Sequence, residues 1–173
     1  MNYIYHYDSP LGGITMASDG EALIGLWFDG QQFYASTLGR VQEQRMLPIF
    51  EETSRWLDVY FSVQEPDFTP LLRPKGTPFR LSVWQYLLAI PYAQTATYAE
   101  IAHYIAQQKG QKSMSAQAVG GAVGHNPISL IIPCHRVIGS DGSLTGYAAG
   151  LERKGWLLAI EKGKLFTNVL KSP

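Results

Sequence analysis

The chain has 173 residues, 46% hydrophobic and 16% charged, with a formal net charge of zero, a balance that describes a globular protein with a real core and excludes a disordered one. Its single cysteine excludes an internal disulfide framework and a cysteine-based zinc cluster. No run approaches the roughly 20 apolar residues of a spanning helix, and Met1–His6 has neither the basic region nor the apolar core of a secretory signal. A free thiol fits a reducing compartment, so a cytoplasmic protein that does not engage a membrane is expected.

The first half reads as a small antiparallel sheet followed by a helix. Tyr3–Tyr7, Gly13–Ser18 and Ala22–Phe28 are short runs of β-formers separated by Ser9–Gly12 and by Asp19-Gly20. Asp-Gly suits the positive φ values of a tight hairpin turn. From Pro48, a proline suited to the first helical position, the apolar residues Ile49, Phe50, Trp56, Leu57, Tyr60 and Phe61 recur with a helical period. No catalytic constellation stands in this α+β unit. His6 has no Cys or His neighbour in sequence, and no metal site is expected.

Residues 63–76 carry three prolines, Pro66, Pro70 and Pro74, and a glycine, and they look like a crossing between two units. The sign of the charge changes there. Residues 1–74 hold four basic and ten acidic residues, net −6, and residues 75–173 hold ten basic and four acidic, net +6. The expected domains are therefore 1–74 and 75–173, with a polyanionic partner meeting the second.

In the second half, Thr77 is an N-cap with Pro78 at the first helical position, and Phe79, Val83, Trp84, Leu87 and Leu88 form an apolar face. Thr97 and Glu100 make a capping box for a second helix. A third begins near Ser115 and runs to Gly124. Two helices joined by a turn, then an element of small residues, resemble a helix-turn-helix. Each interior glycine costs about 0.8–1.0 kcal/mol relative to alanine. Gly120, Gly121 and Gly124 therefore need an offsetting reason, and close approach of another backbone supplies one. That backbone is either the protein's own or a nucleic-acid strand.

The single thiol, Cys134, follows the apolar run Leu130–Pro133 and precedes His135 and Arg136. A thiol attacks as the thiolate, so a nucleophile needs a lowered pKa or a base at hand. His135 is the nearest base, reaching the sulfur directly or through a water. Glu161, near the end of the last predicted helix, is the best-placed acid to orient it.

Ile132-Pro133-Cys134-His135-Arg136-Val137 resembles the active-site signature of the O6-alkylguanine-DNA alkyltransferases, also called methylated-DNA–protein-cysteine methyltransferases. The resemblance runs from about Phe79 to Gly163. It includes Val83-Trp84, Ile90-Pro91, Thr97-Tyr98, Ala118-Val119-Gly120, Asn126-Pro127, Thr145-Gly146-Tyr147, Lys154 and Glu161. It implies a ribonuclease H-like first domain and a winged-helix-like second domain that binds DNA, in a monomer without a cofactor. The implied reaction is single-turnover transfer of an alkyl group from O6 of guanine, and from O4-methylthymine, to Cys134 after base flipping. In that scheme His135, through a water, and Glu161 make the thiolate. Asn126 braces the turn before the active-site strand. Tyr98 supplies a proton to the leaving guanine. The carbonyls of Cys134 and Val137 read its amino group, and Tyr147, Ala148 and Lys154 attend to the oxygen side. Gln117, Ala118, Gly120, Gly121, Thr97 and Arg136 fall on the implied DNA-binding surface.

Three departures from the family pattern stand out. Gln117 replaces the usual arginine that fills the gap left by the flipped base, so lesion binding and its salt dependence should change more than the transfer itself. The turn Gln107–Met114 is longer than usual, so Lys109 and Lys112 are candidates for phosphate contacts. Ala93 and Ala149 stand where glycines are common, with local backbone freedom as the only expected effect. A non-catalytic alkyltransferase-like protein is disfavoured because such proteins lack the cysteine. A cysteine hydrolase is disfavoured because no oxyanion-hole motif is evident and the helix-turn-helix would go unexplained.

Overall fold

The computed structural model describes residues 1–164, so the end of the expected second domain, 165–173, lies outside the described residues. Strands β1 (Asn2–Ser9), β2 (Gly12–Ser18) and β3 (Leu23–Phe28) pair antiparallel, placing Tyr5 opposite Met16 and Met16 opposite Leu26. The tighter hairpin turn is Pro10-Leu11, held between the paired residues Ser9 and Gly12. The Asp19-Gly20 turn is wider. Its Asp19 carboxylate accepts the N–H groups of Glu21 and Ala22 at 3.0 and 2.9 Å, and Gly20 takes a φ of 108°.

A fourth strand, β4 (Gln42–Gln44), pairs parallel with β1, so the sheet is mixed rather than purely antiparallel, in the order β3-β2-β1-β4. Helix α1 (Pro48–Phe61) buries Ile49, Phe50, Thr53, Trp56, Leu57 and Tyr60 along one face, the spacing its apolar period predicts.

The stretch between the halves is fastened to the sheet. At the outer edge of β3, Leu23 N–H donates to Leu71 O and Arg73 N–H to Leu23 O, both at 2.8 Å. Further along the same edge, Leu26 N–H donates to Pro127 O at 2.8 Å, and Leu26 O accepts Ser129 N–H at 2.9 Å. Those bonds satisfy an edge that would otherwise offer unpaired polar groups. They also tie the sheet directly to the segment leading to Cys134.

The second half contains α2 (Pro78–Leu88), β5 (Ala96–Thr97), α3 (Tyr98–Gln108), α4 (Ala116–Gly124), a 3₁₀ turn at Cys134–Arg136, β6 (Val137–Ile138) and α5 (Leu151–Glu161). The caps form as the residue pattern predicts. The Thr77 hydroxyl accepts Arg80 N–H, and the Thr97–Glu100 box closes in both directions at 3.1 and 3.2 Å. Trp84 on α2 donates its indole N–H to Ala122 O at 2.8 Å, fixing α4 across the bundle. One continuous core includes Phe50 and Tyr60 from the first half and Trp84, Leu87, Ile101, Ile132 and Leu157 from the second. No helix among the described residues is long and apolar enough to cross a membrane.

Candidate active site

The run into the cysteine is not a strand. Leu130 has a φ of 70°, and Cys134–Arg136 forms the 3₁₀ turn before the short β6, which pairs parallel with β5 through Ala96 and Val137. Asn126 explains how this irregular backbone is held. Its amide N–H donates to Ile132 O at 2.8 Å, and its carbonyl oxygen accepts Ile128 N–H at 3.0 Å. Both polar atoms of a buried side chain are satisfied, and the loop is braced on both sides of Ser129–Ile131.

Cys134 and His135 are both buried. The His135 Nε2 atom is hydrogen-bonded to Glu161 Oε2. Arg136 Nε donates to Glu161 Oε1 at 2.8 Å, and Ala93 N–H reaches the same oxygen at 3.1 Å. Tyr60 of α1 donates its hydroxyl to Oε2 at 2.7 Å. Burial pushes the Glu161 carboxyl up, but His135 and Arg136 outweigh it and hold the group well below the usual carboxylate range. With Nε2 donating to an ionised carboxylate, neutral His135 carries its lone pair on Nδ1. That Nδ1 is buried and has no hydrogen-bond partner among the described residues.

Burial pushes the Cys134 pKa up, against the smaller opposing influences of Asn126 and Lys154. The Lys154 ammonium is fully enclosed, and burial lowers its pKa to about 8 while the neighbouring sulfur works the other way. Its Nζ donates to Thr145 O at 2.9 Å, and Tyr98 donates its hydroxyl to the same carbonyl at 2.9 Å. Two groups from different helices thus hold the Thr145–Ala148 loop. The Tyr147 hydroxyl is buried without a hydrogen bond of ordinary length, and the Cys134 thiol is its neighbour.

A cleft of about 590 Å³ opens on this face. Tyr98, Gln117, Gly120, Gly121 and the Gly146–Ala148 loop line it from the second half, and Gln32 and Phe33 from the first. Cys134 is not in its wall, but Tyr98 and Tyr147 are, and the sulfur raises the pKa of each in addition to the effect of burial. A Cβ added at Gly121 or Gly124 would meet nothing within 4 Å, and one at Gly120 would meet only the Tyr98 ring at 3.9 Å. The glycines therefore do not serve packing against the protein's own backbone. They keep the cleft side of α4 bare. Ala118 and Gln117 on the same helix are exposed.

Two expectations for the DNA surface change. Arg136 is not there: its side chain is only 10% exposed, and its Nη1 donates to Ile90 O at 2.8 Å besides the bond to Glu161. It packs under the site, over the Tyr92 ring. The Thr97 hydroxyl is engaged in the cap of α3. Lys109 and Lys112 are both exposed, and Lys109 lies over the Phe79 ring at 4.9 Å. Ala93 has more than a local effect, because it holds a φ of 64° while its N–H binds Glu161.

The sequence reading missed three participants. Tyr60 looks like an ordinary core position of an amphipathic helix. Phe33, with a φ of 58°, stacks on His125 at the end of α4 with ring centroids 3.9 Å apart. Gln32 donates its backbone N–H to Ala148 O at 2.9 Å. Nothing in local sequence marks any of these three.

Residues 78–163 match the family model of the 6-O-methylguanine DNA methyltransferase DNA-binding domain, and residues 2–73 match that of its ribonuclease-like domain. The chain belongs to the methylated-DNA–protein-cysteine methyltransferase family. A methyltransferase of that name from Haemophilus influenzae is 40% identical over 161 residues, covering 92% of this chain and 86% of the relative. One from Methanosarcina acetivorans is 42% identical over 160 residues, covering 92% and 97%. The solved structure of Mycobacterium tuberculosis OGT in complex with DNA superposes with a TM-score of 0.82 at 37% identity, covering 97% of this chain and 99% of that one. The α+β architecture and the enzyme class of the methyltransferase rest on these likenesses together.

Proposed function

We propose that the methyltransferase repairs alkylated DNA directly, using Cys134 once. O6-alkylguanine, and O4-methylthymine by the same chemistry, enters the cleft after flipping out of the duplex, since the alkyl carbon on neither oxygen can be reached inside the stack. Bare α4 lies against the minor groove, where small residues allow close approach. The Cys134 thiol gives its proton through a water to His135 Nδ1, and Glu161 stabilises the resulting imidazolium. The sulfur then attacks the alkyl carbon in line. The S–C bond forms as the C–O6 bond breaks, the electron pair leaves on the base, and Tyr98 delivers a proton to the departing guanine, which avoids release of an anion. Lys154 and the Tyr147–Ala148 loop serve the oxygen side, and the Cys134 and Val137 carbonyls serve the amino group. The thioether is stable, so one molecule repairs one lesion without a cofactor. The work is done by a monomer of two domains, 1–74 and 75–173, in the cytoplasm, where the thiol stays reduced.

The observation that carries this reading is the unpartnered, buried Nδ1 of His135. Its opposite nitrogen is committed to an ionised carboxylate, so Nδ1 is the acceptor for the proton of the adjacent thiol. The test is the intact mass of the protein after incubation with a duplex carrying O6-methylguanine. One added methyl on Cys134, in stoichiometric amount, is expected, and Cys134→Ser should bind the duplex without gaining it. Repeated turnover, or an unmodified cysteine beside an intact lesion, would sink the proposal.

A further inference from the structure

The first half contains no catalytic motif, yet one of its side chains reaches the relay. Tyr60 sits in the last turn of α1, is completely buried, and donates to the same Glu161 oxygen that accepts from His135 Nε2. The phenolic oxygen is also 3.4 Å from that Nε2. The ring is fixed from several sides: Trp56 stacks on it at 5.3 Å, and Tyr92 and His135 meet it edge-on at 6.3 and 6.4 Å.

Among the described residues the Glu161 carboxylate therefore has four donors, two on each oxygen. His135 and Tyr60 occupy Oε2, and Arg136 and the Ala93 N–H occupy Oε1. Each donor draws charge from the carboxylate, and Tyr60 competes for the oxygen that would otherwise bind the imidazole alone. A carboxylate so shared stabilises an imidazolium less than one bound only to histidine. The phenol also prevents the carboxylate from rotating away from Nε2.

We propose that Tyr60 is a positioning residue for the alkyl transfer, by which the N-terminal half fixes the Glu161 carboxylate and sets how strongly it supports protonation of His135. The proposal rests on the relay described above, with His135 as the proton acceptor. The other ionisable groups facing this carboxylate are Arg136, Tyr92 and Tyr147, on or beside the 3₁₀ turn and the flanking loops. None of them contacts Oε2 as Tyr60 does. Burial and the nearby Glu161 charge push the Tyr60 phenol well above its ordinary range, so it remains a donor at every working pH.

The test measures methyl transfer to Cys134 against pH for the wild type, for Tyr60→Phe, and for protein carrying a ring-fluorinated tyrosine at 60. Tyr60→Phe removes one donor from Oε2, so the acid limb of the rate profile should move to higher pH by on the order of half a unit. The rate at neutral pH should fall on the order of tenfold as the carboxylate loses its fixed orientation. The fluorinated phenol is a stronger donor, keeps the shape, and should move the acid limb the other way. Affinity for unmodified duplex should not change, because Tyr60 is buried and does not line the cleft. In a Glu161→Gln background, Tyr60→Phe should have no further effect on rate.

A purely structural role predicts a uniform loss at all pH values and no response to fluorination, and that result would overturn the proposal while leaving the repair reading intact. A wild type that takes no methyl overturns both. Should Tyr60→Phe fail to fold, the fluorinated protein decides alone, since an unmoved acid limb refutes the assignment.

Discussion

Arg136 offers the sharpest separation between a DNA contact and an interior support. Consider Arg136→Met, which keeps much of the volume and removes the charge. The Glu161 carboxylate loses the Arg136 guanidinium, and the Ile90 carbonyl loses its donor, with the remainder of the site still buried. Removing one partner of a buried ion pair costs about 3–5 kcal/mol because the other charge is stranded. For a domain of this size, about 2–4 °C accompanies each kcal/mol, so the melting temperature should fall by about 6–20 °C. The effect has a pH signature. Glu161 titrates near 4.5 when unperturbed and lower when folded, so its contribution to stability is fully present above 4.5 and drains away as pH falls through the folded value. Arg136 is part of what lowers it. The stability gap between wild type and variant should therefore be widest near neutrality and narrow below pH 4.5. Urea denaturation at a series of pH values measures the gap, and salt titration of duplex binding completes the assay. A folded variant of unchanged stability, whose binding loses about one unit of salt slope, would return Arg136 to the DNA surface and refute this account.

Two further substitutions probe the backbone. Ala93→Gly should raise stability by about 0.5–1 kcal/mol, because the left-handed conformation costs an alanine about 1–2 kcal/mol and the looser unfolded glycine offsets only part of that. The N–H bond to Glu161 survives, so thermal melting should show a gain with transfer intact, and a loss would contradict the assignment. Gly121→Ala places a methyl in open space, so helix propensity should add just under about 1 kcal/mol while duplex affinity by fluorescence anisotropy falls. Unweakened binding would show that the bare face of α4 is not where DNA approaches.

Much of this was legible locally. Caps, helix faces and the three long strands follow from short-range rules, as Thr97 with Glu100 and the apolar face of α1 show. The meeting of His135 with Glu161 beside the cysteine was legible because a thiol with a neighbouring base calls for an acid to orient it. What escaped depends on contacts distant in sequence. Gln42–Gln44 has no strand-forming character and becomes β4 only because β1 offers it an edge. The apolar run before Cys134 reads as a strand but is bent by Asn126. Arg136 reads as a surface cation because charge favours water, and only the buried carboxylate of a later helix draws it inward. Tyr60 differs from any other core tyrosine only by what lies beyond its hydroxyl.

In the proposed relay, the four-fold held carboxylate also decides when the sulfur becomes usable. Glu161 and Lys154 both lie on α5, which is synthesised after the cysteine, and the ligands of the carboxylate come from α1, the turn after α2 and the 3₁₀ turn. A chain still emerging from the ribosome, or one whose last helix has come loose, exposes an ordinary thiol with no relay behind it. A protein that can react only once is thereby kept from reacting too soon. Its arming step is the completion of its own fold.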